Sequence, residues 1–258
     1  MKLPRLAFIG LACAGALALF LSTHQAAVAS AALAATNGSC GKNLSCVIAF
    51  GNARIDERVA ALNVLIGKVN LKKHLTDAQK TALVADANTN INGLKALRTK
   101  LDAETTIAAA RADVKSIYTD YRIFAVALPL AYHEVWLDEL QSAQTAFVTN
   151  EPTISTAIEN AKNHGCTVTM EQTQFTDIQN KVTDAGTQLT AAAGLIPQIK
   201  PSGYPGTDQT LKQMSQDLRQ AHTDLTDAGH DLKNIRNEIH ACEGTTSGTP
   251  TPTATKGS

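Results

Sequence analysis

His133-Glu134 opens like the zinc-protease helix H-E-x-x-H, in which two histidines one turn apart hold a metal beside a general base. Position 137 is Leu, so the second ligand is missing and the motif fails. Di-iron bundles repeat E-x-x-H instead. The residues three before His133, His164, His222 and His240 are Leu130, Ala161, Arg219 and Asn237, and no other histidine fits, which argues against that class. Asp224, Asp227, His230 and Asp231 share part of a helix face and could touch a metal, but a solvated polar face explains the same spacing. The chain carries no G-x-S-x-G, Walker loop or dinucleotide fingerprint. With no convergent set of acids, bases or ligands, the sequence predicts no catalytic residue, no metal and no cofactor. The expected protein is not an enzyme.

The N-terminus predicts where the remaining chemistry takes place. Lys2 and Arg5 precede an apolar run from Leu6 to Leu21, and small residues end in Ala27-Val28-Ala29. This order predicts a secretory signal peptide over residues 1–29, cleaved after Ala29. Cys13 is a poor lipid-attachment site, because Gly10 stands where an aliphatic residue belongs and the apolar run continues past it. The run falls short of the roughly 20 apolar residues that a span prefers, so no transmembrane span is expected after cleavage. The protein is read as secreted, or periplasmic and otherwise extracytoplasmic.

Cys40, Cys46, Cys166 and Cys242 follow the signal, and an even number in an oxidising compartment points to disulfides. Pro197, Pro201, Gly203, Pro205 and Gly206 form a turn between two helical patterns. Cys166 lies 35 residues before Pro201, and Cys242 lies 36 residues after Gly206. Antiparallel arms of equal rise therefore bring Cys166 to Cys242 at the open end of a hairpin. Cys40 is left to pair with Cys46. A four-cysteine zinc site is the rival, and no CxxC supports it. Sequons at Asn37-Gly-Ser39 and Asn43-Leu-Ser45 matter only in a glycosylating host.

Removing Lys2 and Arg5 from the 23 basic residues leaves 21 against 23 acidic ones, a formal charge of −2. Such a chain has nothing to hold a phosphate backbone, so no nucleic acid is expected, and it gains little from anionic membranes. Its length suffices for a substantial core.

The positioning elements read as helices. Ile55, Val59, Leu62, Ile66 and Val69 repeat at four-three spacing, the seam of a helix packed on a partner. Val84, Ala87, Ile91, Leu94 and Leu101 repeat it, with Arg98 interrupting. Between the two, Thr76 and Gln79 spell a capping box, and the short link predicts an antiparallel hairpin. A third helix starts near Thr105 or Thr106 and runs through Tyr118 and Tyr121 toward Pro129, which should kink or divide it. The pattern resumes at Val135 and breaks at Asn150-Glu151-Pro152, and a short helix then ends at His164-Gly165. The last hairpin follows. No stretch keeps the two-residue alternation of a strand. The reading is an all-α, elongated antiparallel helical bundle of coiled-coil hairpins with a Pro-kinked central helix. Its segments are the signal at 1–29, a Cys-containing stretch at 30–51, the bundle at 52–242 and a disordered Thr/Pro-rich tail at 243–258.

Aromatic residues cluster on the central helix: Tyr118, Tyr121, Phe124, Tyr132 and Trp136. They read either as a core hub at the bend or as a partner patch around the kink, since Tyr and Trp combine an apolar body with a polar tip.

Arg54-Ile-Asp-Glu-Arg-Val59, Leu97-Arg-Thr-Lys-Leu-Asp102 and Tyr121-Arg-Ile-Phe-Ala-Val-Ala-Leu-Pro129 resemble segments of uncharacterised secreted helical proteins of small-genome candidate-phylum bacteria and some other bacteria. The resemblance covers about residues 50–240. It implies export and a helical bundle, and it brings no established activity or site residues. Leu75-Thr-Asp-Ala-Gln79 also resembles the LTxxQ motif of Spy-type periplasmic chaperones, which are helical and cradle unfolding clients without ATP. This chain has one such motif where that family usually has two, lacks a strongly basic cradle and is longer. The function expected is therefore an exported, non-catalytic helical protein that binds a protein or envelope partner in or on the cell envelope. An ATP-independent chaperone is the alternative.

Overall fold

The computed structural model of the chain describes residues 40–246. The expected signal peptide, Cys13, the Asn37 sequon and the tail beyond residue 246 lie outside the described residues. The described residues form helices α1 (Leu44–Leu71), α2 (Asp77–Asp102), α3 (Ile107–Ser116), α4 (Leu128–Asn163), α5 (Thr169–Leu195) and α6 (Gly206–Thr246), with no strand among them. Two π-helical turns, Ile117–Tyr121 and Ile123–Ala127, join α3 to α4, and 3-10 turns at Ile196–Gln198 and Pro201–Gly203 join α5 to α6. The fold is all-α, as the apolar periodicity requires.

Local chemistry sets the helix ends. The Asn43 side chain accepts from the Cys46 amide at 3.1 Å, which satisfies a donor that the first turn of α1 leaves open. At α2 the capping box forms in full: Thr76 Oγ1 accepts from the Gln79 amide, and Gln79 Oε1 accepts from the Thr76 amide. Thr106 caps α3, and Gly165, at φ +90°, closes α4 in the left-handed region that glycine adopts without penalty.

The chain divides into two compact units. One holds Leu189–Leu218 and the described part of Ala14–Glu139. In it α1 runs up and α2 runs down, tied by Asn52 to Asp102 at 2.6 Å and by Arg98 to Asp56. The chain then climbs again through α3, the π turns and the start of α4. Lys100 pairs with Asp113 near the bottom, and Lys72 with Glu139 at 2.8 Å near the top. Ile55, Leu62, Leu94, Leu101, Ile117 and Ile123 are fully buried between these three arms, each contributing about 1.5–3 kcal/mol of hydrophobic burial. The other unit holds Leu140–Gln188 and the described part of Arg219–Ser258. There Lys181 of α5 reaches Asp231 of α6 at 2.7 Å, and Ile158, Ile178, Val182, Leu225 and Ile235 form the core. Both expected cysteine pairs stand at disulfide distance, with Cα separations of 5.4 Å for Cys40–Cys46 and 6.0 Å for Cys166–Cys242.

Several expectations need correction. Helix begins at Leu44, inside the stretch at 30–51, because Asn43 caps it there; α6 likewise runs to Thr246, past the expected start of the tail. The central arm is divided at Arg122, in the left-handed region at φ 42° and ψ 42°, and not by a kink at Pro129. Pro129 stands in the first turn of α4, where a missing N–H is tolerated best. Pro152 does not break the helix either, since α4 runs through it to Asn163. Val148, whose carbonyl loses its partner four residues on, lies on an exposed face where water can replace the bond. The buried stripe of α1 is Ile55, Arg58, Leu62, Leu65 and Val69, so Arg58 and Leu65 take the places expected for Val59 and Ile66.

Candidate functional site

The aromatic residues named from sequence do not share one environment. Tyr118 is buried, Tyr121 and Phe124 are half-buried, Trp136 is half-buried, and Tyr132 is 37% exposed. The π-helical geometry produces this division. A turn of π-helix places an extra residue in the helical repeat, and the left-handed Arg122 resets the face that the next turn presents. The Arg122 carbonyl then accepts from the amides of Ala125, Val126 and Ala127, at 2.8 Å from Val126.

Arg58 organises the inner part. It is 6% exposed, with its guanidinium 4.6 Å from the Tyr118 ring centre and 5.1 Å from that of Phe124. Its Nη1 donates to the Arg54 carbonyl at 2.9 Å. Burial presses the Arg58 guanidinium below its usual value and lifts the Tyr118 phenol, with the neighbouring positive charge opposing the second shift. Two aromatic faces thus hold a cation that has left water. Tyr121 turns to α2 instead, where a Cβ on Gly93 would stand 2.7 Å from its ring. Only a glycine admits the ring at that distance. Arg122 stacks 4.4 Å from the ring of Tyr204, so the hairpin tip packs on the π turns within the same unit.

The outer part begins at α4. Lys68 of α1 lies 5.5 Å over the ring of Tyr132, and Trp136 follows one turn later on α4. On the same helix Glu134 is half-buried, and burial, aided by the charges of Asp86 and Asp138, pushes its carboxyl up to about 7. Burial also raises Asp138, against a hydrogen bond from Gln79 that stabilises its charged form. A shallow groove of about 540 Å³ between the end of α1 and the start of α2 is lined by Asn70, Thr81, Val84 and Asn88 among others.

Two members of the polar cluster on the last arm, Asp224 and Asp231, are engaged by neighbouring side chains. Asp231 and Asp177 both bind Lys181 at 2.7 Å, which holds the lysine well above its ordinary value, and Asp224 accepts from Gln220 at 3.0 Å. Among the described residues no group of His, Cys, Asp and Glu is arranged to hold a metal ion.

Arg58, Gly93, Tyr204 and Lys68 were missed from sequence. Arg58 alone left a signal, a charge in the three-four stripe of α1 at a position that must be buried. Comparison with family models, curated proteins and solved structures finds no match to this chain.

Proposed function

We propose that this is an exported, non-catalytic helical protein that binds a protein partner in or on the cell envelope through the Tyr132–Trp136 edge of its central arm. The observation that carries the reading is the division of the aromatic cluster. Tyr118 and Phe124 are committed to Arg58, while Tyr132 keeps a third of its surface open on a helix pinned by the Lys72–Glu139 pair. A rigid, half-exposed aromatic beside a cation suits a partner surface, because the ring buries a large area at small entropic cost. The two cysteine pairs at disulfide distance support an oxidising compartment, and no helix among the described residues is long and apolar enough to cross a membrane. The Leu75–Gln79 likeness to chaperones is accounted for by the capping box, in which Thr76 and Gln79 are both engaged.

The test is photo-crosslinking in the native cell from residues installed at positions 132 and 136, followed by mass spectrometry. One recurrent adduct supports the reading and names the partner. A smear of many exported proteins favours the chaperone alternative, and the absence of adducts at both positions overturns the patch.

A further inference from the structure

The two cysteine pairs stand in unlike surroundings. Cys46 lies in the first turn of α1 and is half-buried, and Gly41, Lys42, Asn43 and Ser45 around it are exposed. Its partner Cys40 is 7% exposed and packs into the apolar core of the same unit. A thiolate arriving from solvent therefore meets Cys46 Sγ before Cys40 Sγ. The N-terminal end of a helix carries partial positive charge, which stabilises a thiolate on Cys46. Cys242 lies close to the opposite, carbonyl end of α6, where the same charge separation disfavours a thiolate.

What holds the sulfurs together also differs. A native disulfide resists reduction to the extent that the surrounding fold shields its two sulfurs and keeps them in place. Cys40 and Gly41 stand ahead of α1. There the Cys40 carbonyl accepts from the Asn43 amide at 2.9 Å, and the Gly41 carbonyl accepts from Arg111 of α3 at 2.7 Å. Val47, fully buried, is the first core residue of α1. With the sulfur bond open, residues 40–43 can leave Arg111 and the core while α1 stays packed from Val47 onward. Cys242 is instead set within α6, and Cys166 is fixed at the end of α4, where the Ala161 carbonyl accepts from its amide at 3.1 Å. The two pairs span 6 and 76 residues of sequence, so opening the short ring restores far less freedom to the unfolded chain, and the protein stays folded.

We propose that the Cys40–Cys46 pair is a redox switch: a dithiol donor opens it through Cys46, and opening releases residues 40–43 from α3 while the Cys166–Cys242 pair stays closed. The donor's thiolate attacks Cys46 Sγ, the bond to Cys40 Sγ breaks, and Cys40 leaves as a thiolate that takes up a proton. The donor's second thiolate then attacks the donor sulfur of the mixed disulfide and releases Cys46. The donor ends as a disulfide, and its two electrons and two protons reside on Cys40 and Cys46. The proposal is independent of the partner reading, which rests on Tyr132 and Trp136.

The purified, fully oxidised chain, equilibrated over a series of reduced-to-oxidised dithiothreitol ratios, quenched, alkylated and mapped by mass spectrometry, tests it. Cys40 and Cys46 should become alkylated at a ratio lower by about tenfold or more than Cys166 and Cys242, with the melting transition still cooperative. The attacked sulfur is read from a short pulse of reduced glutathione trapped with N-ethylmaleimide. Glutathione should be found on Cys46 and maleimide on Cys40. Hydrogen exchange in the partly reduced chain should quicken over residues 40–46 and stay unchanged from Ile55 to Val69. Joint reduction of both pairs, earlier opening of Cys166–Cys242, glutathione on Cys40, or unchanged exchange over residues 40–46 each overturns the proposal.

Discussion

Replacing Glu134 by glutamine is expected to stabilise the protein at pH 8 and to leave it unchanged near pH 4.5. Burial, aided by the charges of Asp86 and Asp138, raises this carboxyl from 4.5 to about 7. A folded-state value above the unfolded one means that ionisation opposes folding. The group's contribution to stability is fully present below about pH 4.5 and is lost as pH rises through about 7. A shift of that size corresponds to about 3 kcal/mol, and the side chain's partial contact with water reduces the expected effect to about 1–2 kcal/mol. Asp138 is raised for the same reason and adds in the same direction, whereas Asp177, lowered by its bond to Lys181, works the opposite way on a surface helix. Trp136 is the only tryptophan and lies two residues from Glu134, so urea unfolding followed by its fluorescence reports on this unit. The glutamine variant should exceed the parent by about 1–2 kcal/mol at pH 8, with the gap closing toward pH 4.5. A variant no more stable at pH 8, or a gap that stays constant with pH, would refute the assignment of burial as the cause.

Arg58→Ala should cost about 2–4 kcal/mol in the same assay, since it empties the space between Tyr118 and Phe124 and removes a cation–π contact. Mutating Cys166 and Cys242 to serine should cost about 4 kcal/mol, the loop entropy of closing 76 residues, and peptide mapping without reductant should recover the Cys166–Cys242 and Cys40–Cys46 links in the parent. Thr76→Ala should cost about 1 kcal/mol, measured by chemical denaturation, because α2 loses one of the two bonds of its capping box at Gln79.

Much of the architecture was legible because it depends on local chemistry. Thr76 and Gln79, Thr106 and Gly165 each announce a helix end through one side chain or one backbone preference, and each end lies where that chemistry predicts. The Cys166–Cys242 pairing followed from equal arm lengths about a turn. The prolines misled for a related reason. Proline penalises a helix locally, but Pro152 lies where the freed carbonyl faces water, and Pro129 stands in a first turn that leaves its amide unused.

The candidate site was legible only as composition. Sequence placed Tyr118, Tyr121, Phe124, Tyr132 and Trp136 on one arm, but not which of them would be spent inside. That was decided by partners remote in the chain: Arg58 on α1, Gly93 on α2 and Tyr204 at the hairpin tip.

By itself the sequence determined that the described chain is helical, where α2 and α3 begin, and which cysteines can meet. Periodicity, capping and chain length act over a few residues or through simple geometry, so each can be read in order along the chain. Only the tertiary structure decided where the central arm divides and which aromatic faces solvent. The left-handed turn at Arg122 and the split of the cluster depend on packing among three arms at once, and packing between residues far apart in sequence leaves no periodic trace in any one of them.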